Sequence, residues 1–380
     1  MTVPLTFQTL FREQIEYISN QGFDLTLVSS PSTALEEISR LLDLKCYPVS
    51  MARKPNLGRD IVSLVTLLKI FLKERFDIVH SSTPKAGLLT AVSGFLARIP
   101  VRIHTFTGQA WVGMNGIPRK IIKQCDWIIS HLNTHCYADS SSQRGFLINQ
   151  RLCRTSSISV LGPGSVGGVT LKRFKPQIFG RDRMLTTLQE LGISEDSLVI
   201  IFVGRLTKDK GITELIEAFR NLQKEQINLE LILVGPFEPE RDPLPSQTLN
   251  IIQRNSNIHV VGFTSEPERY MAVADVFCLP SYREGFGSVI IEAGAMGLPC
   301  VATRIVGIVD AVVDGETGLL VPPKNIRALQ KALSSLLFDP ENRDRMGKAA
   351  RQRAIRHFDS IRINSLVAEE YRRLNAESNL

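Results

Sequence analysis

Apolar positions along this chain fall alternately into helical stripes and short strand-like runs. Phe7, Leu10, Phe11, Ile15 and Ile18 recur at helical spacing and predict a helix over Phe7 to Asn20, closed by Gly22. A strand over Asp24 to Ser29 follows, then a helix over Ala34 to Leu41 and a strand over Lys45 to Pro48. The same reading predicts helices over 59–74, 86–97, 118–133 and 141–149, alternating with strands over 78–81, 101–105, 135–138 and 157–161. A second series predicts strands over 198–203, 229–234, 259–262, 276–279, 300–303 and 318–321, with helices between them and a helical region from Ile326 to the end, broken at His357-Phe358. Such alternation predicts parallel sheets covered on both faces. The turn-forming run Gly162-Pro163-Gly164-Ser165-Val166-Gly167-Gly168 is expected to be a flexible linker. The expected organisation is an α/β domain over 1–165, a second over 166–357, and a helix over 358–380 packing back on the first, with a cleft between the two doubly wound domains.

The opening is unusual for that plan. An α/β domain normally begins with a strand, and Val3-Pro4-Leu5 leads directly into the first helix. The first domain is therefore expected to lack its first strand, so that either the true start lies upstream or the protein is impaired.

Composition narrows the class. Hydrophobic residues at 43% and charged residues at 22% suit a folded globular chain. No apolar run reaches membrane-spanning length; the longest, Ile61 to Leu72, is broken by Ser63, Thr66 and Lys69. The start lacks the basic and apolar regions of a signal peptide, so the cytoplasm is the expected location. Six cysteines without regular spacing are expected to be reduced. Charge is uneven: residues 1–165 carry 18 Lys/Arg against 11 Asp/Glu, whereas residues 166–380 carry 27 of each. The whole excess of +7 lies in the first half and points to an anionic partner there.

The stretch from Leu279 to Thr303 holds the clearest chemistry. A buried strand ends at Pro280, a turn carries Gly285 and Gly287, and a short helix runs from Ser288 to Met296. A helix N-terminus behind such a turn offers backbone N–H groups to an anion. Glu284 and Glu292 beside it suit hydroxyl groups, and the combination suggests a nucleotide-sugar site. A second motif, Gly204-Arg205-Leu206-Thr207-Lys208-Asp209-Lys210-Gly211, follows a predicted strand and opens a helix. Arg205 and Lys210 are well placed there to clamp a diphosphate.

Together, G-R-L-x-x-x-K-G and, about eighty residues on, E-G-F-G-x-x-x-x-E-A-x-A-x-G-x-P resemble the family 4 retaining glycosyltransferases of the GT-B fold. His80 to Leu88 and Val101 to Gly108 are similar to members that build bacterial capsule, O-antigen and related surface glycans. The resemblance implies two Rossmann-like domains and a hexosyl- or N-acetylhexosaminyl transfer from a nucleotide-sugar, a UDP-sugar, to a lipid-linked or saccharide acceptor. It implies that Gly204, Arg205 and Lys210 hold the diphosphate as leaving group and Glu292 the ribose. Glu284 would hold the donor sugar, helped by Gly285 and the backbone N–H groups of Phe286 and Gly287. No D-x-D occurs, so the cations are expected to do a metal's work and no cofactor is required.

On the acceptor side, many members carry a histidine before the glycine aligned with Gly108, where this chain has Thr107. His104 at a strand end is the expected substitute, and Lys85 is a candidate for an anionic acceptor group. The hinge also departs, reading Gly167-Gly168-Val169-Thr170 where relatives tend to carry Asn and Asp. His131, His135 and Cys136 resemble a metal cluster by type, but a helix-to-strand change separates them. Trp111 to Lys123, with Met114, Ile117, Ile121 and Ile122 among Arg119, Lys120 and Lys123, is expected to dock on an anionic bilayer at the inner face of the cytoplasmic membrane. The helix from Arg59 shows a similar mix and is read as core. No nucleic-acid motif appears. Two alternatives remain: a nucleotide-sugar 2-epimerase of the same architecture, and a non-catalytic sugar-nucleotide-binding protein.

Overall fold

The computed structural model describes residue 7 and residues 11–51, 56–225, 228–240 and 242–378 of the 380-residue chain. The chain forms two compact units, one of Met1–Gly168 with Ser360–Leu380 and one of Val169–Asp359. The first unit runs α1 (Arg12–Asn20), β1 (Thr26–Ser29), α2 (Thr33–Leu42), β2 (Lys45–Pro48), α3 (Leu57–Glu74), β3 (Ile78–Ser81), α4 (Pro84–Leu96), β4 (Val101–Phe106), α5 (Gly116–Leu132), β5 (His135–Ala138), α6 (Ser141–Asn149) and β6 (Ile158–Val160). The second runs α7 (Arg181–Leu191), β7 (Leu198–Val203), α8 (Ile212–Gln223), β8 (Leu229–Val234), α9 (Ser246–Arg254), β9 (Ile258–Gly262), α10 (Pro267–Met271), β10 (Val276–Leu279), α11 (Ser288–Ala295), β11 (Cys300–Thr303), α12 (Ile308–Ala311), β12 (Gly318–Val321), α13 (Ile326–Leu337) and α14 (Pro340–His357). The last helix, α15 (Ser360–Ser378), belongs to the first unit.

Local signals explain where the helices start. Ser32, Asn56, Ser140 and Asn325 each accept a hydrogen bond from a backbone N–H in the first turn of α2, α3, α6 and α13, and Pro84 opens α4. The first predicted helix, Phe7 to Asn20, is described from Arg12; residues 8–10 lie outside the described residues, as do Val3-Pro4-Leu5.

All strand pairs are parallel. The second unit has one six-stranded sheet in the order β12-β11-β10-β7-β8-β9. Its central strands are apolar and buried at nearly every position, as a sheet covered on both faces requires. The sequence of strands reverses direction between β7 and β10, and in such sheets a crevice for ligands opens at the carboxyl ends of the two strands that flank the reversal. In the first unit the described strands form a pair, β1-β2, and a separate set, β3-β4-β5-β6.

Two side-chain sets fix the ends of the first unit. Gln14 Nε2 donates to Asn364 Oδ1 at 3.1 Å and to the Val166 carbonyl at 2.9 Å. His80 shares a 2.6 Å hydrogen bond with the Tyr371 hydroxyl and a 2.7 Å bond with Thr105 Oγ1. These contacts hold α15 against α1 and β3.

The linker is not the loose segment its glycines suggest. Gly164 to Val169 are buried, and Ser165 carries a positive φ of 72°. Its N–H donates to the Asp139 carbonyl at 2.8 Å, and the Gly168 N–H donates to Ser165 Oγ at 3.2 Å. Glycine permits this path, but burial and hydrogen bonds hold it.

Candidate active site

Two loops follow the strands that flank the reversal of strand order. The first, Gly204 to Gly211, leaves β7, makes a tight turn at Lys208–Lys210 and enters α8. The second, Pro280 to Gly287, leaves β10 and enters α11. They are packed backbone to backbone: the Tyr282 N–H donates to the Asp209 carbonyl at 2.8 Å. Gly211 has φ of +72°, and a Cβ there would collide with the Pro280 carbonyl oxygen, so no other residue fits without moving the second loop.

These loops bring Arg205, Lys210, Glu284 and the Gly285-Phe286-Gly287 turn to one sheet edge. Lys210 and Glu284 form a direct ion pair, and Ser281 Oγ donates to Glu284 Oε1 at 2.8 Å. Arg205 Nη1 lies 2.7 Å from Glu238 Oε2. Phe286 is buried against Phe358, ring centroids 5.3 Å apart, so it offers its backbone and not its ring.

Glu292 lies in the second turn of α11 and is half-buried. Burial raises its carboxyl to about 7 from an ordinary 4.5; the Arg173 guanidinium opposes that shift and the Glu268 carboxylate adds to it. Arg173 is itself gripped by Glu268, with Nε–Oε1 at 2.6 Å and Nη2–Oε2 at 2.7 Å. A half-buried carboxyl with a raised pKa, beside a cation already engaged elsewhere, is a candidate for a functional group.

Four further residues belong to this edge and are missed by motif reading. Asp209 receives Thr207 Oγ1 at 2.6 Å and Arg283 Nη2 at 3.1 Å. Burial pushes the Asp209 carboxyl up, but Thr207, Arg205, Lys210 and Arg283 outweigh it and leave it below its ordinary range. Ser281 and Arg283 lie inside the glycine-punctuated stretch. Glu238 lies just past β8, where the position after a central strand is the signal that could have found it.

The predicted acceptor-side residues lie in the first unit, and the reading of His104 needs correction. His104 is not at an open strand end, because β4 continues to Phe106. It is 2% exposed, with Nδ1 2.9 Å from Ser81 Oγ and its ring 4.6 Å from that of Phe106. A Cβ on Gly87 of α4 would collide with that ring, so the imidazole is a packed core group and no acid or base for a substrate. Burial pushes it down to about 3, which keeps it neutral. Lys85, the candidate for an anionic acceptor group, is ion-paired with Asp60 of α3, Nζ–Oδ1 2.8 Å. Thr107 is exposed and donates to the Ser82 carbonyl at 3.3 Å, and Gly108 has φ of +120°.

The apolar-basic segment is partly as expected. Ile117 and Ile121 of α5 are 72% and 57% exposed beside Arg119, Lys120 and Lys123. Trp111 is instead 1% exposed and donates from Nε1 to Asp126 Oδ2 at 2.7 Å. The reading of α3 as core holds for one face, where Leu67 and Phe71 are buried, while Ile61, Val62, Val65 and Leu72 on the other are exposed. No helix among the described residues is long and apolar enough to cross a membrane. All six cysteines are free thiols. Among the described residues, no three of His, Cys, Asp or Glu are grouped to hold a metal ion.

Residues 185–353, which contain both loops and Glu292, match the family described as glycosyl transferases group 1. Over 351 residues the chain is 32% identical to the capsular polysaccharide biosynthesis glycosyltransferase CapM of Staphylococcus aureus, covering 92% of this chain and 90% of that protein. The chain belongs to the group 1 glycosyltransferases. This glycosyltransferase is also 26% identical to the Escherichia coli UDP-Gal:alpha-D-GlcNAc-diphosphoundecaprenol alpha-1,3-galactosyltransferase, over 96% of this chain and 92% of that one. Its fold is GT-B. The structure of Anabaena HepE in complex with UDP and glucose matches it with a TM-score of 0.79 at 20% identity, covering 95% of each chain. The resemblance drawn from the sequence motifs and the GT-B fold class are thereby both established, and nothing supports an epimerase.

Proposed function

We propose that this glycosyltransferase moves a sugar from a UDP-sugar, with retention of anomeric configuration, to a lipid-linked saccharide acceptor in bacterial surface-polysaccharide synthesis. The observation that carries the reading is the meeting of Arg205, Lys210, Glu284 and the Gly285–Gly287 turn at the reversal of strand order, with Glu292 behind them. Support for the donor and acceptor comes from what the relatives are named for: capsule synthesis, a diphosphoundecaprenol-linked acceptor, and a bound UDP.

On this reading Arg205 and Lys210 hold the diphosphate, and Glu292 accepts hydrogen bonds from the ribose hydroxyls. Glu284 and the turn amides hold the donor sugar. As the anomeric C–O bond breaks through an oxocarbenium-like state, negative charge grows on the departing diphosphate, where two fixed cations stabilise it most. Ile117 and Ile121, with the cations around them, would rest the first unit on an anionic bilayer where such an acceptor resides.

The test is a panel of UDP- and GDP-sugars with a polyprenyl-diphosphate-linked saccharide in anionic vesicles. The expected product is an acceptor longer by one sugar in the retained configuration, formed from a UDP-sugar. Donor turnover in the absence of any acceptor, with a new nucleotide-sugar as product, would overturn the reading. The membrane part is tested by flotation: Ile117→Ser with Ile121→Ser should release the protein from anionic vesicles, and unchanged flotation would refute that docking face.

A further inference from the structure

Helices α3, α4 and α5 lie side by side over the β3–β6 sheet, with α4 packed against α3 on one side and α5 on the other. Of the three, α3 is apolar on two faces. Leu67 and Phe71 point into the core, whereas Ile61, Val62, Val65 and Leu72 recur at helical spacing on the opposite, solvent face. Water is a poor neighbour for such a stripe, so it marks a surface that something covers.

Charge says what covers it. Arg59, Lys69 and Lys73 lie exposed among those apolar residues, as Arg119 and Lys120 do beside Ile117 and Ile121 of α5. The three helices hold three acids, and each is matched or buried. Asp60 is ion-paired with Lys85 and Glu74 with Lys45, while Asp126 is buried under Trp111. A face that is apolar and cationic is complementary to an anionic lipid surface. A second copy of the chain would instead set like charges against each other. Trp127, on the exposed side of α5, is 40% exposed and stacks on His131 with ring centroids 4.0 Å apart. An amphipathic indole at that place suits the headgroup level of a bilayer.

We propose that α3 is a second docking helix, so that α3 and α5 rest together on an anionic bilayer. To the two isoleucines of α5 it adds Ile61, Val62, Val65 and Leu72 with their three cations, and binding grows with both apolar area and charge. Two helices separated by the width of α4 also fix how the first unit faces the lipid, where a single helix would let it pivot. The inference rests on docking through α5, as the proposed function has it.

The test is flotation of the full chain with phosphatidylglycerol-containing vesicles, with phosphatidylcholine vesicles as the neutral control, followed in parallel by tryptophan fluorescence. The chain has two tryptophans and Trp111 is buried, so a lipid-induced blue shift reports Trp127. Ile61→Ser with Val65→Ser should weaken partition onto the anionic vesicles about tenfold or more, for two aliphatic side chains lost from the lipid. Lys69→Glu with Lys73→Glu should also weaken it, with a shallower dependence on salt. All four positions are exposed, so both variants should melt like the wild type. Flotation and blue shift equal to the wild type's in both variants would overturn the proposal; release by Ile117→Ser with Ile121→Ser would then leave α5 as the docking helix by itself. Equal binding to the neutral vesicles would overturn the anionic partner. A wild type that sediments as a dimer and becomes monomeric in the α3 variants would also overturn the proposal, in favour of a second copy on this face. If the wild type floats with neither kind of vesicle, the docking reading fails first, and the inference falls with it.

Discussion

Lys210 and Glu284 come from loops after different strands and meet in an ion pair. Each neutralises the other, and the proposed function sends them to different parts of the donor.

Their substitutions should therefore behave differently. Lys210→Ala removes a diphosphate contact and strands the Glu284 carboxylate, so both nucleotide affinity and turnover should fall. Glu284→Gln should leave UDP affinity within about threefold while turnover with the full donor falls by about 100-fold, because its partner is the sugar. Calorimetry with UDP beside initial rates separates the two, and identical behaviour of the variants would show that the roles are wrongly divided.

Glu292 makes the donor site pH-dependent. Its carboxyl is raised from 4.5 to about 7, yet on the proposed function the ribose needs it as a charged acceptor. Affinity for a nucleotide-sugar, whose esterified diphosphate does not titrate here, should rise with pH up to about 7 and then level off. Stability moves the other way. The folded state holds this proton more tightly than the unfolded chain, so stability is lost as pH rises from 4.5 towards 7. Glu292→Gln should thus bind nucleotide-sugar poorly but melt higher than the wild type, with a gain that grows over that range. A pH-independent difference in melting temperature would refute it.

Much of this architecture is legible in the sequence, because the central strands of a parallel sheet are unbroken apolar runs and their helices have glycine or capping residues at their ends. Strands such as β7, β8 and β10 are therefore located to the residue. The meeting of the two glycine-rich loops is legible too, since glycines and charges directly after a parallel strand fall where such a sheet opens to a ligand. What motif reading misses is partnership across the sheet edge. Glu238 and Asp209 are ordinary acids in sequence, and only the adjacency of β7 and β8 brings Glu238 to Arg205. His104 fails for the opposite reason: the period-2 pattern of β4 gives its face, but not the glycine on α4 that lets a helix close over the ring. The linker misleads because glycine content reports what the backbone may do, and Ser165 and Gly168 report what holds it.

Two histidines of the first unit, half-buried His80 and buried His104, should make it acid-sensitive. Burial pushes His80 down to about 4 and His104 to about 3, both from 6.5. The unfolded chain takes up these protons first, so stability is complete above 6.5 and is lost as pH falls towards those values. The melting temperature should drop between pH 6 and pH 4, and His104→Leu should flatten that slope even if it lowers the value at pH 7. An unchanged slope would contradict the burial of a neutral imidazole at this position.

The most direct test is titration calorimetry of a UDP-sugar panel, above pH 7, against the wild type and Glu292→Ala. The account predicts that the wild type binds at least one donor and that the variant loses about 2 kcal/mol or more, roughly 30-fold, for the charge-assisted bonds to the ribose. Equal affinity in wild type and variant would contradict the claim that the helix behind the glycine turn holds the nucleotide.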